Sequence, residues 1–480
     1  MMPAAAGGSS RGEHMRDRTT WSRLATLAVG LTLWFLPVPE GLTPPAWRLF
    51  ALFASAILAV VIGALPILTA SVLAVAAAVL THTLKPADAY AGFASPTILL
   101  IVIAFLVARA MVKCGLGERL GYRAIALFGR STLGLSYSIF AVDALIAPAF
   151  PSNTARSGVL YPLVLSVSEA VGAKPDRPDR RRLGRFLMFS GIASLTLSSA
   201  LWLTAMAANP LGAEIARDHG VTIDFGSWFL AASLPTLAGM ALLPFFLYKV
   251  IRPEVAGTPD APAEARRALA SLGPWTRDQK IVAAAFVGMV ALWALSARLG
   301  IDLTAVAFLG LGTLLFTSVL TLDDLAKEGD VLSTFIWFAV LFGLSDQLNK
   351  LGFMEFLGQR LALRLEGLSP LPAGILLVVA YVALHYLFVS QTAHLLALFA
   401  VFLGVGVRLG VGAAPLAFHL LFATNYFAAI TPQGSSANLL FAGSGHLTQG
   451  DLYRLGALTT AFNLVLYLAL GTPWLLAVAR

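Results

Sequence analysis

Charge is what this sequence has least of. Asp, Glu, Lys and Arg make up 12% of its 480 residues, about half the share of an ordinary soluble chain. That deficit leaves too little polar surface to coat a particle in water. Cysteine is scarcer still. Cys114 stands alone, which excludes a disulfide framework and a thiolate metal centre. No H-E-x-x-H and no clustered metal-binding carboxylates occur, so the chain does not read as an enzyme, intramembrane or otherwise, and no cofactor is implied.

What is abundant is apolar length. Hydrophobic residues reach 58%, concentrated in Leu24–Pro39, Leu49–Val79, Thr97–Val112, Phe186–Ala208, Trp228–Val250, Ile281–Leu295, Ala305–Leu320, Thr334–Leu344, Leu371–Val389 and Leu455–Val478. About 20 apolar residues cross a bilayer as a helix. Backbone groups in lipid must be satisfied within the segment, so helices are the spanning structure available here. The pattern predicts an all-α polytopic membrane protein with about 11 transmembrane helices plus two shorter hairpin-like pairs.

The net charge of +8 does not point to nucleic acid, because the basic residues sit in short loops. They cluster in Lys113–Arg130, Lys174–Arg185 (with Arg177 among them) and Lys249–Lys280, and loops of this kind stay on the cytoplasmic side. Residues 1–23 read as a cytoplasmic tail, since Met1–Thr20 is polar and holds no signal-type apolar stretch. Residues 251–280, rich in Pro, Ala and charge, read as a cytoplasmic linker between a first half, 24–250, and a second, 281–480.

The halves resemble each other. Gly115-Leu116-Gly117-Glu118-Arg119-Leu120 returns loosely as Gly352-Phe353-Met354-Glu355-Phe356-Leu357, and Pro151-Ser152-Asn153-Thr154-Ala155-Arg156 returns as Val389-Ser390-Gln391-Thr392-Ala393-His394. The offsets are 237 and 238 residues. An odd number of spans between the copies would invert the second half in the membrane, and inverted repeats place a substrate near the midplane.

Each Ser-Asn/Gln-Thr triplet lies between two short apolar arms, which predicts re-entrant hairpins over 133–171 and 371–407. The arm after each tip starts a helix, whose N-terminus carries partial positive charge and open N–H donors. With the side chains of Ser152, Asn153, Thr154, Ser390, Gln391 and Thr392, that combination suits carboxylate oxygens; a plain helix cap is the alternative. Two further segments look unwound, Thr204–Pro210 and Thr431–Asn438, so Thr204, Thr431, Pro432 and Gly434 join the candidates. Freed carbonyls there can hold a cation and freed N–H groups an anion. Arg156 and His394 occupy matching places after the tips and can offset the two charges of a dicarboxylate. Asp143 either pairs with Arg156 or serves the fold; His385 reads as a packed residue and Asp346 as interfacial.

These motifs resemble the divalent-anion/sodium symporter family, and within it the branch of 2-oxoglutarate/malate translocators and citrate/succinate exchangers. The resemblance rests on Pro151–Gly158, Leu201–Pro210, His385–His394 and Thr431–Gly434, and extends from Leu24 to the end. It implies a homodimer with scaffold domains and transport domains that move like elevators, and it assigns carboxylate binding to Ser152, Asn153, Thr154, Ser390 and Thr392. Sodium-coupled members carry asparagine in both triplets. Gln391 departs from that pattern, and Arg156 and His394 place positive charge nearby, so a residual sodium site is expected at most near Asn153. The expectation is a sodium-independent exchanger of dicarboxylates of the 2-oxoglutarate, malate and succinate class, in a bacterial inner membrane. Sodium-coupled dicarboxylate or citrate symport is the alternative, and a sulfate or arsenite permease a more distant one.

Overall fold

A chain confined to lipid has to close its backbone hydrogen bonds locally, and the computed structural model answers with helices. It describes residues 9–175, 178–365 and 367–479. Residues 1–8 of the expected tail, the side chains of 9–19, and Arg177 of the second basic cluster lie outside the described residues. Among the described residues no strand forms; extended pairing is limited to an isolated bridge between Ser131 and Gly257. Ten helical segments are long and apolar enough to cross a membrane, three of them arms of the expected hairpins, and two shorter apolar helices accompany them. Phe316 at 91% exposure and Leu80 and Phe35 at 78% would be liabilities in water, and match a hydrocarbon surround.

Helix α1 (Ser9–Phe35) runs unbroken through residue 23, so the described part of the tail is helical and has no boundary there. Two series of elements follow, and the second repeats the first in order. The first is α2 (Pro44–Val61), α3 (Ile67–Leu80), α4 (Pro86–Ala89), α5 (Pro96–Lys113), α6 (Leu116–Phe128), α7 (Thr132–Ile146), α8 (Asn153–Ala170), α9 (Arg181–Leu201), α10 (Ala208–Arg217) and α11 (Phe225–Ile251). After α12 (Ala261–Ser271) come α13 (Arg277–Leu299), α14 (Leu303–Phe316), α15 (Leu322–Ala326), α16 (Gly329–Lys350), α17 (Phe353–Leu363), α18 (Pro370–Leu384), α19 (Gln391–Arg408), α20 (Ala413–Tyr426), α21 (Ser436–Ala442) and α22 (Gln449–Leu466). A π-helical turn, Tyr467–Gly471, leads from α22 into α23 (Thr472–Val478). The likeness extends to backbone detail. Gly115 and Gly352 precede α6 and α17 with φ of 69° and 81°, a left-handed geometry that other residues rarely adopt.

The chain divides into two compact units. One holds the residues up to Ile98 together with Leu332–Arg364. In it the Trp47 indole donates to the Leu33 carbonyl at 2.9 Å, and Phe50 stacks on Phe353 with ring centroids 4.2 Å apart. The other unit, Leu99–Val331 and Leu365–Arg480, contains both triplets and both interrupted segments. Helix α9 runs through its interior, buried at every residue from Phe186 to Leu201. Its small residues let neighbours approach closely, and its hydroxyls find carbonyls within the helix: Ser194 donates to Gly191 and Thr196 to Ala193.

The linker is more ordered than its composition suggests. It contains α12, which packs on α6, where Arg119 donates to the carbonyls of Leu272, Gly273 and Pro274. Upstream, Thr258 and Thr132 exchange hydrogen bonds with Arg130 and Ala256 across the Ser131–Gly257 bridge. Glu254 accepts from the backbone N–H groups of Arg182 and Leu183 at 2.9 Å each, capping the start of α9 with negative charge.

Close approach at α22 generates a stability prediction. A Cβ on Gly456 would lie 1.8 Å from the Ala429 carbonyl oxygen, whereas one on Gly288 in α13 would meet nothing within 4 Å. Gly456→Ala is expected to cost about 1–3 kcal/mol as backbone is forced apart, and Gly288→Ala to be neutral or slightly stabilising. Thermal unfolding of the two variants in detergent checks this.

Candidate functional site

The two tips are built alike. Ser152 and Ser390 are extended, with φ/ψ of −147°/125° and −146°/127°. Each hydroxyl accepts from a backbone N–H three residues on, at Ala155 and Ala393, both at 3.3 Å. The serines therefore act as helix caps, stopping the backbone so that the next two side chains project from the first turn of α8 and α19. Those turns come together: Asn153 Nδ2 donates to Gln391 Oε1 at 3.1 Å. Gln391 Nε2 in turn donates to the Thr424 carbonyl at 2.8 Å and contacts the Asn425 carbonyl at 3.3 Å. The extra methylene of glutamine lets one amide reach both the opposite tip and the end of α20. Asn153, Gln391 and Thr392 are buried, Ser152 and Ser390 half-buried, and Thr154 exposed.

Arg156 is fully buried and fully engaged. Its Nε lies 2.7 Å from Asp143 Oδ1 in an ion pair whose side chains are both unexposed. Its Nη1 donates to the Ala205 carbonyl at 3.0 Å, and its Nη2 to Asn153 Oδ1 at 2.8 Å and Ser199 Oγ at 2.6 Å. Ser198 Oγ donates to Asp143 Oδ2 at 2.6 Å. Of the two roles the sequence leaves open for Asp143, the pairing with Arg156 is the one formed. Asp143, one helix earlier in the same hairpin, offsets the charge of Arg156, because a lone buried guanidinium would be far too costly. What Arg156 does is hold Asn153 by its oxygen, which turns the amide nitrogen toward Gln391.

His394 occupies the matching place and, among the described residues, has no acid in contact with it. Its Nδ1 lies 3.3 Å from His385 Nδ1, and His385 Nε2 lies 3.1 Å from the Gly434 carbonyl oxygen. Tyr381, Phe388 and Phe427 pack around the ring.

Both interrupted segments are genuine breaks, and side chains satisfy their carbonyls. Asn209 Nδ2 donates to Ser199 and Trp202; Asn438 Nδ2 donates to Ala428 and Thr431, all at 2.8–3.1 Å. Each asparagine thus staples the helix that ends to the one that begins. The short turn inside each break ends on a carbonyl that faces a basic side chain: Ala205 takes Arg156, and Gly434 takes His385. The Thr204 hydroxyl goes to the Pro148 carbonyl at 3.0 Å, and the Ala207 N–H to Pro151 at 2.9 Å, fastening the first break to the first tip. Pro432 opens the short turn before Gly434. The Thr431 hydroxyl is buried without a hydrogen-bond partner among the described residues. Near Asn153, the amide oxygen that a sodium ion would need already receives Arg156.

Sequence reasoning passed over Ser198, Ser199, Asn425 and the linking role of His385. Asn425 Nδ2 donates to Asn209 Oδ1 at 2.9 Å, joining α20 to the first break. Its signal was present, as a lone amide in the apolar run Leu420–Ile430, where a polar group needs a buried partner. Asp346, expected at an interface, pairs with Lys350 at 2.7 Å.

Removing one member of the buried ion pair has a predictable cost. Asp143→Asn leaves Arg156 charged and unmatched, and is expected to lose about 3–5 kcal/mol. Asp143→Asn with Arg156→Gln is expected to recover part of that loss. A double-mutant cycle by thermal unfolding measures the coupling; additive losses would show that the pair is not a unit.

The comparisons with known proteins agree with this architecture. The family model described as "Sodium:sulfate symporter transmembrane region" matches residues 17–479. The chain is 38% identical over 456 residues to dicarboxylate transporter 1, chloroplastic, of Arabidopsis thaliana, covering 94% of this chain and 82% of that protein. It is 32% identical over 474 residues to inner membrane protein YbhI of Escherichia coli, covering 96% and 98%. Among solved structures, the YdaH transporter of Alcanivorax borkumensis shares the fold, with a TM-score of 0.54 at 15% identity over 95% of this chain and 97% of that one. The match takes in nearly the whole chain, and the protein is an integral membrane transporter of the divalent-anion/sodium symporter family.

Proposed function

We propose that this protein exchanges C4 and C5 dicarboxylates across a bacterial inner membrane without sodium. The observation that carries the reading is the treatment of the two breaks. A sodium ion in such a site draws on freed carbonyl and amide oxygens. Here the carbonyls of Ala205 and Gly434, one in each break, meet nitrogen from Arg156 and His385, and the Asn153 oxygen meets Arg156 too. The chain supplies basic side chains where a coupling cation would need empty oxygen.

The guest is held at the paired helix starts. The first turns of α8 and α19 present N–H donors and partial positive charge to one region, with Thr154 and Thr392 beside them and the Asn153–Gln391 bridge between them. A dicarboxylate places one carboxylate at each start. Relatives named as dicarboxylate transporters support that substrate class. Empty, the two helix starts have donors with no acceptor, and carrying them through the membrane is unfavourable; loaded, they are satisfied. That difference enforces one-for-one exchange. The domain carrying the tips moves as an elevator against a scaffold in a homodimer, with the N-terminus and the linker on the cytoplasmic side.

Counterflow in proteoliposomes tests the reading. Uptake of labelled malate, 2-oxoglutarate or succinate is expected to require an internal dicarboxylate and to persist when choline replaces sodium. Uptake that vanishes without sodium would establish symport instead, and competition by sulfate alone would change the cargo. Thr154→Ala and Thr392→Ala are each expected to weaken binding by about 10- to 100-fold, the worth of a hydrogen bond to a charged group. Wild-type affinity in both variants would remove the tips from the site.

A further inference from the structure

The two basic positions behind the tips differ in a way that their sequence symmetry hides. Arg156 has a permanent charge and a carboxylate partner. His394 is an imidazole, and among the described residues no carboxylate contacts it. Its ring meets Tyr381, Phe388 and Phe427 at centroid distances of 4.4, 4.8 and 4.7 Å, and His385 at 5.3 Å. The Tyr381 hydroxyl is committed to Thr424 Oγ1 at 3.0 Å.

The helices packed against α19 bring no acid to the ring. On α10, Glu214 pairs with Arg217 at the exposed end, near where His219 approaches Gly404, ten residues along α19. On α20, His419 bonds Thr472 at 3.0 Å and Tyr426 packs on Tyr467. On α18, Tyr381 is the titratable group, with His385 in the turn that follows it. Arg408 lies at the far end of α19 itself.

Hydrogen-bond logic fixes the tautomers. The Gly434 carbonyl can only accept, so His385 Nε2 bears a hydrogen. Neutral His385 then presents Nδ1 as a lone pair. The 3.3 Å contact is a hydrogen bond only when His394 Nδ1 is the donor. His394 is left with Nε2 as a bare acceptor, buried and without a partner among the described residues. Buried acceptors of this kind call for an explanation.

We propose that His394 Nε2 takes up a proton together with the dianionic guest, and that His385 is the positioning residue that reserves this nitrogen by occupying the other. This rests on the dicarboxylate reading of the tips. The proton comes from water on the side where the guest enters and leaves with it; one N–H bond forms and then breaks, and nothing is oxidised or reduced. Three aromatic rings lie 4.4–4.8 Å from the imidazole centroid, within the range at which a ring quadrupole acts on a cation, and the guest supplies the counter-charge that the protein withholds. Because Asp143 cancels Arg156, His394 is the variable charge behind the tips. Coupling is reciprocal: guest strengthens proton binding, and proton strengthens guest binding by the same factor.

Calorimetric titration of the purified protein with L-malate decides the matter. It is run between about pH 6.5 and 8.5, where both guest carboxyls are ionised, in two buffers of different ionisation heat. Affinity is expected to fall as pH rises, approaching about tenfold per unit, with buffer-dependent heat reporting uptake of up to one proton per guest. His394→Gln is expected to flatten the pH profile and abolish uptake. His385→Phe, which keeps a ring stacked against Phe427, is expected to shift the midpoint while uptake persists. Flat affinity and equal heats in the wild type overturn the proposal whatever the variants do, and so does proton uptake that survives in His394→Gln. Normal malate binding without protons sinks the histidine assignment alone. No malate binding at any pH sinks the dicarboxylate reading and this inference with it.

Discussion

A helix that breaks inside a bilayer leaves backbone oxygens with no water to turn to, and the site described here is organised around meeting that demand. Asn209 and Asn438 close the two gaps from within. Arg156 and His385 close them from the neighbouring hairpins. Because the same side chains also grip the tips, the geometry of the tips depends on the breaks. Ser199 and Asn153 receive the guanidinium that caps Ala205, and the glutamine that meets Asn153 is anchored on the end of α20. Satisfying the backbone and placing the side chains of the tips are one arrangement.

The halves are built to one plan and finished differently. In the first, a permanent cation is balanced by Asp143 and stabilised by hydroxyls from α9. In the second, two imidazoles face each other inside an aromatic enclosure. An ion pair of this kind keeps the same net charge across the pH range in which imidazoles titrate. One half thus carries a fixed ion pair where the other carries two facing imidazoles. Such asymmetry cannot arise in a strict homodimer of halves; it needs the duplication to be fused in a single chain.

Much of this was legible in the residues. Apolar run lengths located the spans because lipid leaves the backbone little choice. The triplets stood out because Ser-Asn-Thr and Ser-Gln-Thr interrupt apolar arms at one offset, and the breaks because Pro210 and Pro432 fall beside polar residues. Other features were not legible. Asp143 stood as one of two readings, a partner for Arg156 or a fold residue, because the two sit on opposite arms and the hairpin fold decides whether they meet. Asn425 and Ser199 carried no spacing signal, since their partners lie on other helices. His385 was set aside as packing, which its ring stack on Phe427 bears out, yet a ring has edges as well as faces. The linker's composition suggested a loose connection, but composition does not register that Arg119, Thr132 and the start of α9 each take hold of it.

That grip has a consequence for how the protein divides. Residues 254–275 bond to α6, α7 and α9, all elements of the first half. By its contacts the connecting segment is the closing strap of the half that precedes it. That strap runs up to Thr276, where a new helix is capped.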